Sequence, residues 1–139
     1  MHKIARMSDY APVIMNLITT TNQIGGKLQK YFTPLKKALV DKDLSKVDLS
    51  KTKRVFQSGT DKYQKLSQKL NRARIPVKVM GPSKLLQSAY PRYVKSCQAM
   101  TDSLDPDKQK VDVKKFKQSE KDQDHNVSQV VGWIHRIMA

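Results

Sequence analysis

Four stretches of the chain repeat apolar or small residues at alternating steps of three and four, separated by proline, glycine or aspartate. That spacing keeps one face of a helix apolar, and such a face has to be buried against another element. The first stripe reads Ile4, Met7, Ala11, Ile14, Ile18, Thr21, Gly25, Leu28, Phe32, Leu35 and Leu39. Ser8 or Asp9 is its expected cap, which puts Pro12 in the first turn, where proline is tolerated. Gly25-Gly26 and Thr33-Pro34 interrupt the pattern. A kink is expected there, or a restart with Thr33 as cap and Pro34 at the first helical position.

The second stripe, Leu49, Thr52, Phe56, Gly59, Tyr63, Leu66, Leu70 and Ala73, follows Asp48 as expected cap and ends at Ile75-Pro76. Proline drives the residue before it out of the helical region. Gly81-Pro82-Ser83 is read as opening the third helix, with Leu86, Ala89 or Tyr90, Tyr93, Cys97, Met100 and Leu104 on its apolar face. Pro91 falls inside it, so a bend or break is expected near Tyr90. Asp105-Pro106-Asp107 turns the chain, and after Asp112 the fourth stripe runs Val113, Phe116, Glu120, Gln123, Val127, Val130, Ile134, Ile137. Segments of about 25 residues span roughly 37 Å at about 1.5 Å per residue, and short connections make sequential neighbours antiparallel. The expected fold is all-α: one domain over residues 1–139, an up-down-up-down four-helix bundle with its third helix bent near Pro91. Val77-Lys78-Val79 alternates like a strand but is too short to build a sheet.

Charge is the strongest compositional signal. Twenty-seven Lys and Arg against 12 Asp and Glu leave the 139-residue chain at +15, which favours an anionic partner. Lysine supplies most of it, as a hydrated point charge, whereas the six arginines carry planar forks suited to phosphate or carboxylate. No Asp or Glu occurs between Asp61 and Asp102. In an antiparallel bundle that gap joins the start of helix one and the end of helix four at one pole. It would gather Arg6, Arg72, Arg74, Arg92 and Arg136 with Lys3, Lys69, Lys78 and Lys84, and Asp9 as the one carboxylate. The expected anion site comprises Arg6, Arg72, Arg74, Lys78, Ser83, Lys84, Arg92 and Arg136, with the free N–H groups at the start of helix three assisting. Tyr90, Tyr93 and Trp133 are candidate flat faces nearby. The opposite pole is equally rich in lysine, Lys36, Lys108, Lys110 and Lys114 among them, but Asp41, Asp48, Asp105 and Asp112 partly cancel its field.

Aligning the stripes also brings Thr21, Gly25, Gly59, Tyr93, Cys97, Glu120 and Gln123 to one level. That layer is small and polar where its neighbours are apolar, so it marks a candidate pocket, or else a solvated turn at "SEKDQDHN" with Glu120 leaning outward. Only Asp61, Glu120, Asp124 and His125 fall within reach of it, too few carboxylates for a di-metal bundle site. No metal and no cofactor is expected. Asp122 and His125 read as a solvated pair, and His2 and His135 as surface residues. "GGK" at 25–27 lacks the strand and spacing of a phosphate loop, no nucleophile motif frames Ser, His and Asp, and the chain is expected not to be an enzyme. Cys97 is the one cysteine, so no intramolecular disulfide forms, and its position on the third stripe makes it a buried thiol. No apolar run reaches the length of a membrane span, and "MHKIARMSDY" holds no apolar signal core.

The Lys, Asp, Gln, Ser and Val bias, together with "YQKLSQKLNRARIPVKVMGPSKLLQSAYPRYVKSCQAM" at 63–100, resembles small exported helical-bundle proteins and lipoproteins of lactobacillus-like Gram-positive bacteria. The resemblance implies an extracellular or cell-surface location. Cys97 cannot serve as the acylated first cysteine of a lipoprotein. The leading expectation is a binding or scaffold bundle at the cell envelope, its basic pole on anionic wall polymer or lipid headgroups. The alternative is an intracellular, cytoplasmic protein that binds nucleic acid. A third reading is a carrier that uses the polar layer for a small ligand.

Overall fold

The computed structural model describes residues 4–139. Helix α1 spans Met7–Asp41, α2 Leu49–Arg72, α3 Met80–Asp102 and α4 Val113–Met138. A 3-10 turn at Val77–Val79 leads into α3, and strands β1 (Leu104–Asp105) and β2 (Lys110–Val111) form a small antiparallel hairpin between α3 and α4.

The core contacts establish the alternating chain direction. One buried cluster joins Tyr10 near the start of α1, Leu70 at the end of α2, Val79 and Leu86 at the start of α3, and Ile134 and Ile137 at the end of α4. A second joins Leu35 late in α1, Leu49 and Phe56 early in α2, Met100 late in α3, and Phe116 early in α4. Only a bundle in which successive helices run in opposite directions can pair the ends this way. The apolar side chains of the two clusters supply the main stabilisation through removal of their surface from water. α3 and α4 lie together along much of their length, α2 lies between α1 and α3, and α1 touches α4 sparingly.

Local chemistry explains most of the boundaries. Asp48 and Asp112 cap α2 and α4 by accepting from Lys51 N at 3.0 Å and Lys115 N at 3.1 Å. The chain leaves α1 through Lys42, whose φ of 56° places it in the left-handed region. Gln57 and Gln98 exchange amide hydrogen bonds of 2.9 and 2.8 Å across α2 and α3.

Some helix boundaries and interruptions differ from expectation. α1 is capped by neither Ser8 nor Asp9: it begins after Arg6, so Pro12 lies beyond the first turn. Nor does it restart at Pro34, because Leu35 and Ala38, buried on the same side, hold the helix on course. Thr33 accepts from Gln29 Nε2 at 2.9 Å instead of capping a new segment. Of the bend or break expected near Tyr90, the break is absent: α3 is continuous through Pro91, flanked by buried Tyr90 and Val94. It also starts before Gly81, since Val79 is buried and draws the preceding residues into a helical turn.

Candidate functional site

The basic end gathers most of the residues expected there. Arg6, Asp9 and Arg74 line one small surface pocket where the start of α1 meets the end of α2. Arg72 and Lys69 line the neighbouring groove against Pro12 and Leu17. Lys78 is exposed on the turn into α3 and Lys84 near the start of that helix, and Arg136 sits in the last turn of α4, its guanidinium 5.4 Å from the Trp133 ring centroid. Cations at the ends of α2 and α4 also offset the helix dipoles. Lys3 and His2 lie outside the described residues.

Two members do not belong. Arg92 is exposed, but it stands about 18 Å along α3 from Met80 at the helical rise, and its carbonyl oxygen accepts from Asn126 Nδ2 in the middle of α4. Ser83 is fully buried, beyond reach of an external anion, because the early start of α3 turns it inward. Its hydroxyl and that of Tyr10 are both buried without a hydrogen-bond partner. Burial raises the Tyr10 pKa, and the nearby Ser83 hydroxyl opposes that shift in part without completing a bond. Of the flat faces, Tyr90 is buried, and its hydroxyl is bonded to Thr21 Oγ1 at 2.8 Å.

The mid-bundle layer forms a cleft of about 220 Å³ between the two core clusters. It exists because α4 stops supplying core residues: between Ser119 and Val130 none of its side chains is buried. Gly25, Tyr93, Cys97, Glu120 and Gln123 line the cleft as the sequence suggested. Thr21 and Gly59 do not. Thr21 is taken up by Tyr90, and Gly59 is buried against Leu28, where an added Cβ would come within 2.8 Å of Leu28 Cδ2.

Sequence reasoning left Phe32 and Tyr63 out of the layer and placed Asp124 within its reach; all three line the cleft. Phe32 and Tyr63 stood on the first two stripes at the right height, and Asp124 follows Glu120 by one helical turn, so helical geometry already contained the signal. Tyr63 and Tyr93 meet edge to face with centroids 5.3 Å apart. Burial pushes the Tyr63 hydroxyl and the Cys97 thiol each up to about 12, and raises Tyr93 further, so all three stay protonated at neutral pH. A protonated thiol is a poor nucleophile and a poor metal ligand. At the mouth, Lys36 Nζ lies 2.7 Å from Glu120 Oε2 and 5.6 Å from the Phe32 ring centroid.

Among the described residues, no group of three or more His, Cys, Asp or Glu is placed to hold a metal ion, and no helix is long and apolar enough to cross a membrane. Comparison with family models, curated proteins and solved structures finds no match to the chain.

Proposed function

We propose that this chain is a non-enzymatic binding or scaffold bundle of the cell envelope whose basic end rests on a phosphate-bearing surface, either anionic wall polymer or lipid headgroups. One observation carries the reading: among the described residues Arg6, Lys69, Arg72, Arg74, Lys78, Lys84 and Arg136 share an end of the bundle with the side-chain carboxylate of Asp9. Elsewhere lysines are interspersed with aspartates, so the local field is weaker. The composition-based resemblance to exported bundles supports the envelope location.

The test compares two charge-matched triple variants, Arg72, Lys78 and Arg136→Gln against Lys108, Lys110 and Lys114→Gln. Binding is measured to phosphatidylglycerol vesicles, phosphatidylcholine vesicles and a soluble polyglycerol phosphate at physiological salt, where distant charges are screened beyond about 8 Å. The first triple is expected to weaken binding to the anionic probes about tenfold or more, and the second by less than about threefold. Equal losses would show that total charge alone matters. Preference for vesicles or for the soluble polymer separates the two phosphate sources, and tighter binding to duplex DNA than to either would favour the nucleic-acid reading.

A further inference from the structure

We infer that the mid-bundle cleft is a binding site for a small organic cation, an ammonium group carried on a compact apolar or aromatic body. This is independent of the basic end, which it neither needs nor supports.

Charge is the first argument. The protein carries more than two basic residues for every acidic one, yet among the described residues the cleft wall holds Glu120 and Asp124 and no Lys or Arg, and the cation paired with Glu120 is Lys36 at the mouth. Spaced i and i+4 on α4, they sit on the same face one turn apart. An anionic ligand would meet two carboxylates here, and a neutral one would leave them unused.

The second argument is the ammonium already present. Lys36 Nζ reaches in from α1 and stands against both Glu120 and the Phe32 ring. Its position demonstrates the geometry the mouth provides, a carboxylate on one side and an aromatic face on the other, which is the recognised chemistry of ammonium binding. The bond to Lys36 occupies Glu120 Oε2, which leaves Oε1 and the exposed Asp124 carboxylate for a ligand.

Size and lining complete the description. Behind the carboxylates the walls are Phe56, Tyr63, Tyr93 and Met100, with Cys97 between them. A cavity of about 150 Å³ lined by apolar side chains takes up benzene, so about 220 Å³ is room for one ring and a short aminoalkyl arm. Gln123, which donates its amide to Met100 Sδ at 3.5 Å, also lines the cleft, and its carbonyl oxygen is a further acceptor for an ammonium.

The experiment titrates the full chain with 2-phenylethylammonium, 2-phenylethanol and phenylacetate by calorimetry at physiological salt, and locates binding by amide shift changes. The amine is expected to bind with a Kd of about 1 mM or below, at least about tenfold tighter than the alcohol, with phenylacetate weakest. Shifts should concentrate at Gly25, Cys97 and Gln123. Asp124→Asn and Glu120→Gln, both surface-accessible changes, should each weaken the amine about tenfold and leave the alcohol unchanged, whereas Lys36→Ala, which removes the internal competitor, should tighten it. Three results would overturn the assignment: equal binding of amine and alcohol, amine shifts located away from these residues, or carboxylate variants that bind the amine as well as the parent. Absence of amine binding up to about 10 mM would overturn it as well.

Discussion

Single side chains here reveal where packing is complete and where it is not. Gly26 and Gly132 stand inside helices with nothing within 4 Å of an added Cβ, so each holds helical backbone without the benefit of a side chain. Alanine at either is expected to raise unfolding free energy by about 0.5–1 kcal/mol, read as a higher urea midpoint at unchanged m-value. Gly59→Ala differs in kind. The new methyl would displace the tip of Leu28, which borders the cleft and can rotate into it, so stability should change little while the cleft shrinks. The buried hydroxyls of Tyr10 and Ser83 lack partners in the fold yet are hydrated when the chain is unfolded. Tyr10→Phe and Ser83→Ala are therefore expected to be neutral or to stabilise by up to about 1 kcal/mol, and a loss of more than that in denaturant titration would mean that the two hydroxyls do bond each other.

Among the helices, α2 was the most legible: of its eight stripe residues, Leu49 through Leu70 are all buried and Ala73 caps the end. Its stripe contains no proline, and Asp48 marks its start without competition. α1 does not restart at Pro34 and α3 does not break at Pro91, because proline rules describe a helix in isolation, whereas buried Leu35, Ala38, Tyr90 and Val94 keep these two continuous. The cost should still be present. Pro34→Ala restores an N–H donor for the Lys30 carbonyl and is expected to stabilise the protein by about 1–2 kcal/mol, the interior proline penalty less the gain in unfolded-chain freedom. An unchanged thermal midpoint would show that the helix has already relaxed around the missing bond. The start of α3 was misread for the opposite reason. Val77-Lys78-Val79 has strand propensity, and Gly81-Pro82 is a turn signal, but burial of Val79 outweighs both.

At the level of the molecule, alternating direction was legible, and with it most of the basic end. Arg92 was misplaced because it was grouped with the start of α3, although the axial rise sets it near the middle of that helix. The cleft was partly legible as a break in apolar pattern on α4. What sequence could not convey was which small residues are filled by neighbours, as Gly59 is by Leu28, and which open onto space. Burial of Cys97 and Tyr63 also ties stability to pH. Both pKa values are raised, from 9.0 and 10.0 to about 12, so the folded chain keeps protons that the unfolded chain releases. Their contribution is intact below pH 9 and should fall between about pH 9 and 12, so chemical denaturation should show a declining midpoint there. Cys97→Val should shift the onset of that decline upward toward the tyrosine range.

The scant contact between α1 and α4 has a consequence for motion. α3 and α4 hold each other along their length, whereas α1 is fastened chiefly by α2 and by the bond from Thr21 to Tyr90. Amide hydrogens in the middle of α1, around Gly25 and Gly26, should therefore exchange with deuterium sooner than those of α3 at Val94 to Cys97, as one stave loosens while the other three remain closed.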